Sequence, residues 1–230
     1  MSEKRVAYQV VNVGDWVRYD TSRLPKTCIV PKEETGFERS QYFRACNTRK
    51  WRVYRKTDGQ IELVSAVSVG KLWLYGVAGY ENVVKTLKRI AQAFVNPNFA
   101  ENARCLGVCS RSVDTVKLHK GVKKNFPYQD KRGFAEVKEL KRKGLLPKLQ
   151  RRVVIGSRDV EANDQGYALM VRTMTETGAI ESETLYYSGL DMEVDSFNEL
   201  FGVIVFVTLK RDILLADGDG SEMSPYKLTF

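Results

Sequence analysis

The side chains best suited to metal binding or nucleophilic catalysis are few and far apart in this sequence. Cys105 and Cys109 lie four residues apart, and His119, the only histidine, follows ten residues later. A structural zinc site needs four ligands, so the fourth would have to come from Cys28 or Cys46 in distant segments. The spacing therefore favours buried thiols over a metal centre, and no cofactor is expected.

A group of carboxylates in the C-terminal third could also do chemistry. Paired carboxylates serve glycosidases and metal-dependent enzymes, and the residues here are Glu181, Glu183, Asp191, Glu193, Asp195 and Glu199. No serine nucleophile motif, phosphate-binding glycine loop or dinucleotide fingerprint accompanies them. The stretch 217–220, Asp-Gly-Asp-Gly, lacks the downstream Glu of a calcium loop and is typical of a turn. We therefore predict an acidic solvent-exposed face and no enzymatic activity.

Positive charge is concentrated in residues 117–152, which we call the basic segment. It holds thirteen Lys or Arg against three Asp or Glu, whereas residues 153–230 hold five against fourteen. Such a cluster attracts phosphates without reading a base sequence. The candidate polyanion-binding residues are Lys123, Lys124, Lys131, Arg132, Lys138, Lys141, Arg142, Lys143, Lys148, Arg151 and Arg152, with Lys85, Lys88 and Arg89 on the polar face of a predicted helix.

Charge alone leaves several uses of the basic segment open. Phe126 and Tyr128 could stack on single-stranded bases. The four leucines within 140–149 could enter the headgroup region of an anionic membrane while the cations bind lipid phosphates. The Lys-Arg-Lys and Arg-Arg clusters would also suit nuclear import. A solvated loop, finally, would need no partner at all.

Alternation and turn residues predict two hairpins, one long helix and one buried strand. Asp58-Gly59 joins two alternating runs, and a turn over 175–178 lies inside a second predicted hairpin over 167–187. Apolar residues recur at helical spacing over 83–95, and Asn96-Pro97 closes that helix. The apolar run 203–209 is typical of a central, buried strand.

These elements predict an α+β fold. We expect a single domain in which an antiparallel sheet packs on one long amphipathic helix, with short helices, one of them beginning near Asp195. The expected boundaries are a flexible N-terminal arm over 1–40, a globular domain over 41–215 that contains the basic segment, and a frayed tail over 216–230.

Targeting and redox signals indicate a reducing compartment. Four scattered cysteines do not make a disulfide scaffold in a chain of 230 residues. We find no secretory signal, no lipidation motif and no apolar run of the ~18 residues that a membrane span requires. Any contact with a membrane is therefore expected to be peripheral.

Three motifs occur in an order that resembles rhabdovirus matrix proteins. They are Tyr-Gly-Val-Ala-Gly at 75–79, which precedes a helix ending in Ala-Phe; the Gly-led stretch 166–175, which contains Thr-Met-Thr; and Phe-Gly-Val-Ile-Val at 201–205. The resemblance covers residues 42–210. The chain lacks the Pro-Pro-x-Tyr motif and lysine-packed N-terminus of animal-virus members and carries a long basic insert. It therefore resembles a distant member from a plant virus or another non-vertebrate virus that matures in the nucleus.

The resemblance implies a structural protein of the virion that self-associates, condenses the viral ribonucleoprotein and links it to an anionic membrane during budding. The acidic C-terminal region would meet a neighbouring copy in open head-to-tail contacts. Val10, Val11, Val13 and Trp16 would insert into that neighbour. A nuclear import receptor is a further expected partner. The expected locations are the virion, the host nucleus and the periphery of cytoplasmic or nuclear membranes. The alternative function is a plant-virus movement protein or another RNA-binding protein without sequence specificity.

Overall fold

Strands dominate the chain. The computed structural model describes residues 5–21, 28–43, 50–115, 132–163, 166–189 and 200–229, and its strands form sheets of eight, five and two strands. The eight-stranded sheet has the order β1 (Arg5–Val6), β14 (Leu214–Asp217), β15 (Tyr226–Thr229), β2 (Trp16–Arg18), β5 (Lys50–Thr57), β6 (Gln60–Ser65), β13 (Val205–Leu209) and β8 (Ala100–Cys105).

The two smaller sheets complete the β structure. The five-stranded sheet has the order β11 (Ile180–Gly189), β10 (Gly166–Met174), β9 (Val153–Asn163), β12 (Phe201–Val203) and β7 (Val69–Leu72), and the two-stranded sheet pairs β3 (Cys28–Val30) with β4 (Gln41–Phe43). The described helices are α1 (Ala7–Val10), α2 (Lys32–Thr35), α3 (Gly76–Gln92) and α4 (Arg132–Arg142).

The predicted α+β fold, with one antiparallel sheet on one long helix, is wrong. The predicted apolar stripe does lie in α3, where Val83, Val84, Leu87 and Ile90 are fully buried. However, α3 contacts β8 of the eight-stranded sheet and also β9, β10 and β11 of the five-stranded sheet. The protein is therefore mostly β, and α3 lies among strands of separate sheets.

The apolar run 203–209 explains why one sheet was predicted where there are several. Gly202 in β12 pairs in parallel with Val153 of the five-stranded sheet. Two residues after β12 ends, β13 begins and pairs with β6 and β8 in the eight-stranded sheet. All residues from 201 to 207 are buried, so the sequence shows one apolar strand where the chain passes from one sheet to another.

Both faces of the eight-stranded sheet are buried near its centre. Val53 belongs to the hydrophobic cluster that contains α3, whereas its neighbour Tyr54 belongs to a second cluster that contains α4. Leu63 and Val64 divide in the same way. Because successive strand residues point to opposite faces, α3 and α4 cover opposite faces of this sheet.

The two predicted hairpins are confirmed. Thr57 pairs with Gln60 around Asp58 and Gly59, which both have positive φ, as a two-residue hairpin turn requires. Strands β10 and β11 pair in antiparallel fashion, with Met174 opposite Ile180 next to the turn. The turn lies where the sequence predicted it. The short helix predicted near Asp195 lies outside the described residues.

Residues at both ends of the chain belong to the eight-stranded sheet, unlike the predicted arm and tail. Strand β2 lies between β15 and β5, and Val17 and Tyr19 are buried in the core. Tyr19 donates a hydrogen bond to the carbonyl of Phe94 (2.7 Å) and accepts one from the amide of Asn96 (2.7 Å). The segment just after α3 is thereby tied to the N-terminal part of the chain.

The central position of α3 predicts a large effect of truncating its apolar face. Leu87→Ala should lower the free energy of unfolding by about 2–5 kcal/mol, because it removes buried contacts and leaves a cavity. Urea denaturation measures this change. In the same helix, the exposed Gln92 provides a matched control, and Gln92→Ala should stay within about 0.5 kcal/mol of wild type. Equal effects of the two changes would contradict the placement of α3.

Candidate polyanion-binding surface

The apolar side of helix α4 packs on the eight-stranded sheet and on β9 of the five-stranded sheet. Val137 and Leu140 are buried, and Gly144 (φ 65°) ends the helical path so that Leu145 returns to the same apolar cluster. The amide of Leu145 donates to the carbonyl of Leu140 (2.8 Å). The insertion of Leu140 and Leu145 into a lipid headgroup region, one of the uses considered above, is therefore wrong, because these side chains form part of the core.

Glu139 is the polar anchor of α4. The Tyr54 hydroxyl donates to its Oε2 (2.6 Å), Lys143 Nζ lies 2.7 Å from its Oε1, and an Arg55 Nη lies 3.0 Å from its Oε2. Partial burial alone raises the pKa of Glu139. Hydrogen bonds from Lys143 and Tyr54, together with the charges of Arg55 and Lys143, outweigh this effect and lower the pKa to about 2. Glu139 is therefore ionised and fully bonded at neutral pH.

A second ion cluster lies deeper between α4 and the sheet. Arg104 bonds Glu62 (2.7 Å) on strand β6 and Glu136 (2.5 Å) on α4, and its guanidinium lies 4.2 Å from the centre of the Phe206 ring. The Gly107 amide donates to the other Glu136 oxygen (2.9 Å). Burial raises the pKa of the Glu136 carboxyl more than Arg104 and this amide lower it. The cluster leaves α4 one preferred position on the sheet.

A cleft of about 350 Å³ opens beside these two clusters. Its lining includes Arg55, Glu62, Arg104, Glu136 and Glu139, together with Cys109 and Ala135. Each of the five charged side chains is already bonded to another of them or to Tyr54 or Lys143. These groups hold α4 on the sheet, and together with Lys143 they comprise three cations and three carboxylates.

The three predicted cations on α3 are paired within the chain. Arg89 makes a double hydrogen bond to the buried carboxylate of Glu34, and Lys85 Nζ lies 3.1 Å from the same carboxylate. Lys88 pairs with Asp114 and donates to the carbonyl of Ser112. These contacts join α3 to α2 and to the loop before residue 115, so all three cations already have a carboxylate partner within the chain.

Two cations of the basic segment, Lys143 and Arg152, also have carboxylate partners within the chain. Besides Glu139, Lys143 bonds the carbonyl of Tyr54 (2.8 Å), and its side chain is only 14% exposed. Arg152 forms ion pairs with Glu183 and, at 3.4 Å, with Glu181. Arg152 is thus shared by two of the carboxylates that the sequence placed on an acidic face.

The remaining described cations of the basic segment are exposed or half-buried, and their side chains make no hydrogen bond or ion pair with another described residue. We call this set the α4 basic surface: Lys138, Lys141, Arg142, Lys148 and Arg151. Of the other predicted residues, Lys123, Lys124 and Lys131 lie outside the described residues. Arg132 is the first residue of α4, and its side chain is not described.

The predicted self-association residues do not form one exposed face. Val11 is buried in the core of its own chain, and Val10 packs against that core. Val13 is 45% exposed, and Trp16 lies in β2 opposite Arg52 of β5. Insertion of this segment into a neighbouring copy would first require Val11 to leave its own core.

Sequence reasoning missed two cations that the fold brings next to the α4 basic surface. Arg52 donates to the carbonyl of Gly144 (2.9 Å), directly after α4. Lys50 lies beside Ala66, whose backbone in turn bonds Lys148. The available signal was the alternation of strand β5, which places Lys50 and Arg52 on one face.

The described residues contain no group of three or more Cys, His, Asp or Glu side chains placed to hold a metal ion. Cys105 is fully buried, and burial raises the pKa of its thiol. Cys28 and Cys109 are partly exposed, while Cys46 and His119 lie outside the described residues. No described helix is both long enough and apolar enough to cross a membrane.

Comparisons of the chain with protein-family models, with curated proteins and with solved structures give no match.

Removing the charge of Glu139 should loosen α4 in a pH-dependent way. Glu139→Gln should lower the free energy of unfolding at pH 7 by roughly 1.5–3 kcal/mol, because charged hydrogen bonds to Lys143, Arg55 and Tyr54 are weakened. A carboxyl group with a depressed pKa stabilises fully above its usual pKa of 4.5 and loses this effect as the pH falls toward 2. The difference from wild type should therefore be smaller at pH 3 than at pH 7.

Urea unfolding at the two pH values measures this difference. Glu176→Gln serves as the control, because Glu176 is exposed in the turn between β10 and β11 and makes no described ion pair. A destabilisation by Glu139→Gln that does not change with pH would contradict the ionic role of Glu139.

Proposed function

We propose that this chain is a structural protein of a virion that binds the phosphates of a viral ribonucleoprotein through the α4 basic surface. The motif order that resembles rhabdovirus matrix proteins supports the class. The α4 basic surface supports binding through the phosphates of the ribonucleoprotein. Under this proposal the protein acts by binding and condensing a polyanion and performs no turnover.

The observation that carries the proposal is the division of cations into paired and unpaired sets. Lys85, Lys88 and Arg89 have carboxylate partners within the chain, as do Lys143 and Arg152. The α4 basic surface has none among the described residues. Five positive charges close together in sequence and without counter-charges attract a polyanion and gain free energy when its counterions are released.

The packing of α4 determines which contact with lipid the proposal allows. Because Leu140 and Leu145 are buried, this surface offers cations to a membrane without these apolar anchors. Its attraction to anionic lipid would then be electrostatic and would decay within about 10 Å at 0.1 M salt. The ribonucleoprotein, with one phosphate per nucleotide, is the favoured partner, and the membrane link of a matrix protein would be weaker and strongly salt-dependent.

The alternative function, a movement protein or other RNA-binding protein without sequence specificity, shares the same surface. Self-association separates the two, since a matrix protein must form assemblies. The exposed cross-strand pair of Ile29 (54% exposed) and Tyr42 (69% exposed) in the two-stranded sheet offers more apolar area for such contacts than the buried Val11. Sedimentation of the protein over a concentration and salt series distinguishes a self-associating protein from a monomeric one.

Neutralising the α4 basic surface should weaken binding without unfolding the protein. The test variant changes Lys138, Lys141, Arg142, Lys148 and Arg151 to Gln. We expect weaker binding to an unstructured RNA oligonucleotide and a salt dependence whose slope falls by up to about 0.7 for each phosphate that the variant no longer binds. The thermal midpoint should stay close to that of wild type, because exposed, unpaired charges contribute little to stability. Fluorescence anisotropy across a salt series measures the slope.

The control removes the same number of exposed cations outside the basic segment, namely Lys32, Arg39, Lys71, Arg111 and Arg211. This control should retain more than half of the wild-type slope, because the change in net charge is equal but the local cluster remains. Equal losses in the two variants would mean that net charge rather than the α4 basic surface controls binding. Unchanged binding by the test variant would overturn the proposal.

A further inference from the structure

One aromatic and three cationic side chains lie together on one face of strands β2 and β5. Trp16 is the direct cross-strand partner of Arg52, and Arg18 is the direct partner of Lys50. Val17, which alternates with Trp16 and Arg18, is buried in the core on the opposite face. We call the four residues Trp16, Arg18, Lys50 and Arg52 the β2–β5 patch.

Two like charges face each other directly in this patch. Arg18 and Lys50 are both exposed, and like charges at directly opposite positions of an antiparallel pair are destabilising. The carboxylate of Glu222 lies 3.6 Å from Lys50, and both of these side chains are about half exposed. An ion pair of that kind is weak. A bound anion would relieve the repulsion between Arg18 and Lys50.

The third cation is held in place by neutral groups. The Arg52 guanidinium donates from Nε and one Nη to the carbonyl of Gly14 (3.0 and 2.9 Å) and from the other Nη to the carbonyl of Gly144 (2.9 Å). Its central carbon lies 5.1 Å from the centre of the Trp16 ring, and Lys50 Nζ lies 5.8 Å from the same centre. The result is a partly exposed indole fixed beside two positive charges.

The β2–β5 patch lies next to the α4 basic surface. The Ala66 amide donates to the carbonyl of Lys50 (3.3 Å), and the Lys148 amide donates to the carbonyl of Ala66 (3.0 Å). Arg52 reaches Gly144, two residues beyond Arg142. A chain of phosphates bound along 138–151 would therefore have the Trp16 ring close to its path.

We propose that the β2–β5 patch is a binding site for single-stranded nucleic acid, in which a base stacks on the Trp16 ring while its flanking phosphates bind Arg18, Lys50 and Lys148. Combining an aromatic ring with cations that track a backbone is the general means of binding single strands without sequence readout. The inference rests on the proposed function and adds the ligand class, a single strand, and the residue that recognises its bases.

The rigidity of this site favours a stacked base over lipid. Trp16 lies in a strand that is paired on both sides, and Arg52 fixes the position of its ring. An anchor that enters a bilayer needs a projecting apolar side chain, whereas Trp16 is only partly exposed and is surrounded by cations. A flat ring with two cations within 5.8 Å of its centre combines a stacking surface with phosphate-binding groups, as binding of a nucleotide requires.

The test uses the full-length protein with Trp16→Leu and Trp16→Tyr. The probes are an unstructured 12-nucleotide oligoadenylate and, in parallel, vesicles with 30% phosphatidylserine. We expect Trp16→Leu to weaken oligonucleotide binding by roughly 5- to 100-fold, and Trp16→Tyr to stay within about threefold of wild type, because tyrosine retains a stacking ring. The slope of affinity against salt should not change in either variant, because an uncharged ring releases no counterions. Vesicle binding should stay within twofold.

The control is Tyr42→Leu, which removes an exposed aromatic ring from the two-stranded sheet and should leave oligonucleotide binding unchanged. Thermal midpoints identify a variant that fails to fold. If Trp16→Leu fails to fold, the decisive comparison is between wild type and Trp16→Tyr: binding should shift the indole fluorescence of wild type, and the part of this shift that comes from Trp16 should be missing in Trp16→Tyr. Unchanged oligonucleotide affinity of Trp16→Leu, or a loss confined to vesicles, would overturn this inference while leaving the proposed function intact. If wild type itself binds neither probe, the proposed function fails.

Discussion

The attachment of α4 to the face of the eight-stranded sheet opposite α3 is the constraint on which the α4 basic surface depends. Val137, Leu140 and Leu145 remove the apolar side of the segment from water, which contributes roughly 1.5–3 kcal/mol per large side chain. The bonds around Glu139 and Arg104 then select one position for the helix, since any shift would leave charged groups buried without partners. With one side fixed in this way, the opposite side of α4 faces solvent and carries Lys138, Lys141 and Arg142, and the segment that follows carries Lys148 and Arg151.

The cations of this protein therefore fall into two sets, those with a carboxylate partner within the chain and those without one among the described residues. Glu34 pairs with Lys85 and Arg89 of α3, and Asp114 pairs with Lys88. Glu183 pairs with Arg152, so all of these residues serve the fold. The cations that remain are those that an external polyanion can neutralise. The pairing of β2 with β5 and the backbone hydrogen bonds from Lys50 through Ala66 to Lys148 bring Trp16 and Lys50 next to the α4 basic surface. Under the proposal, the two together form a longer surface that a polynucleotide could follow.

Local features of this fold could be predicted from the sequence, whereas its long-range arrangement could not. The Asp58-Gly59 hairpin and the apolar stripe of α3 follow from neighbouring residues. The three sheets do not, because Ile204 lies between two strands of different sheets inside one uninterrupted apolar run. For the same reason the sequence predicted the density of cations near 138–152 but not which of them find carboxylates distant in sequence, as Arg152 does with Glu183.

The reactivity of individual lysine amines tests the division of cations most directly. Brief acetylation of the folded protein, quantified by mass spectrometry with and without RNA, reports both exposure and protection at each position. The account predicts fast modification of Lys138, Lys141 and Lys148 that RNA suppresses, and slow modification of Lys143 that RNA leaves unchanged. Modification of Lys143 as fast as that of Lys141, or protection by RNA of Lys88 in place of Lys141, would contradict it.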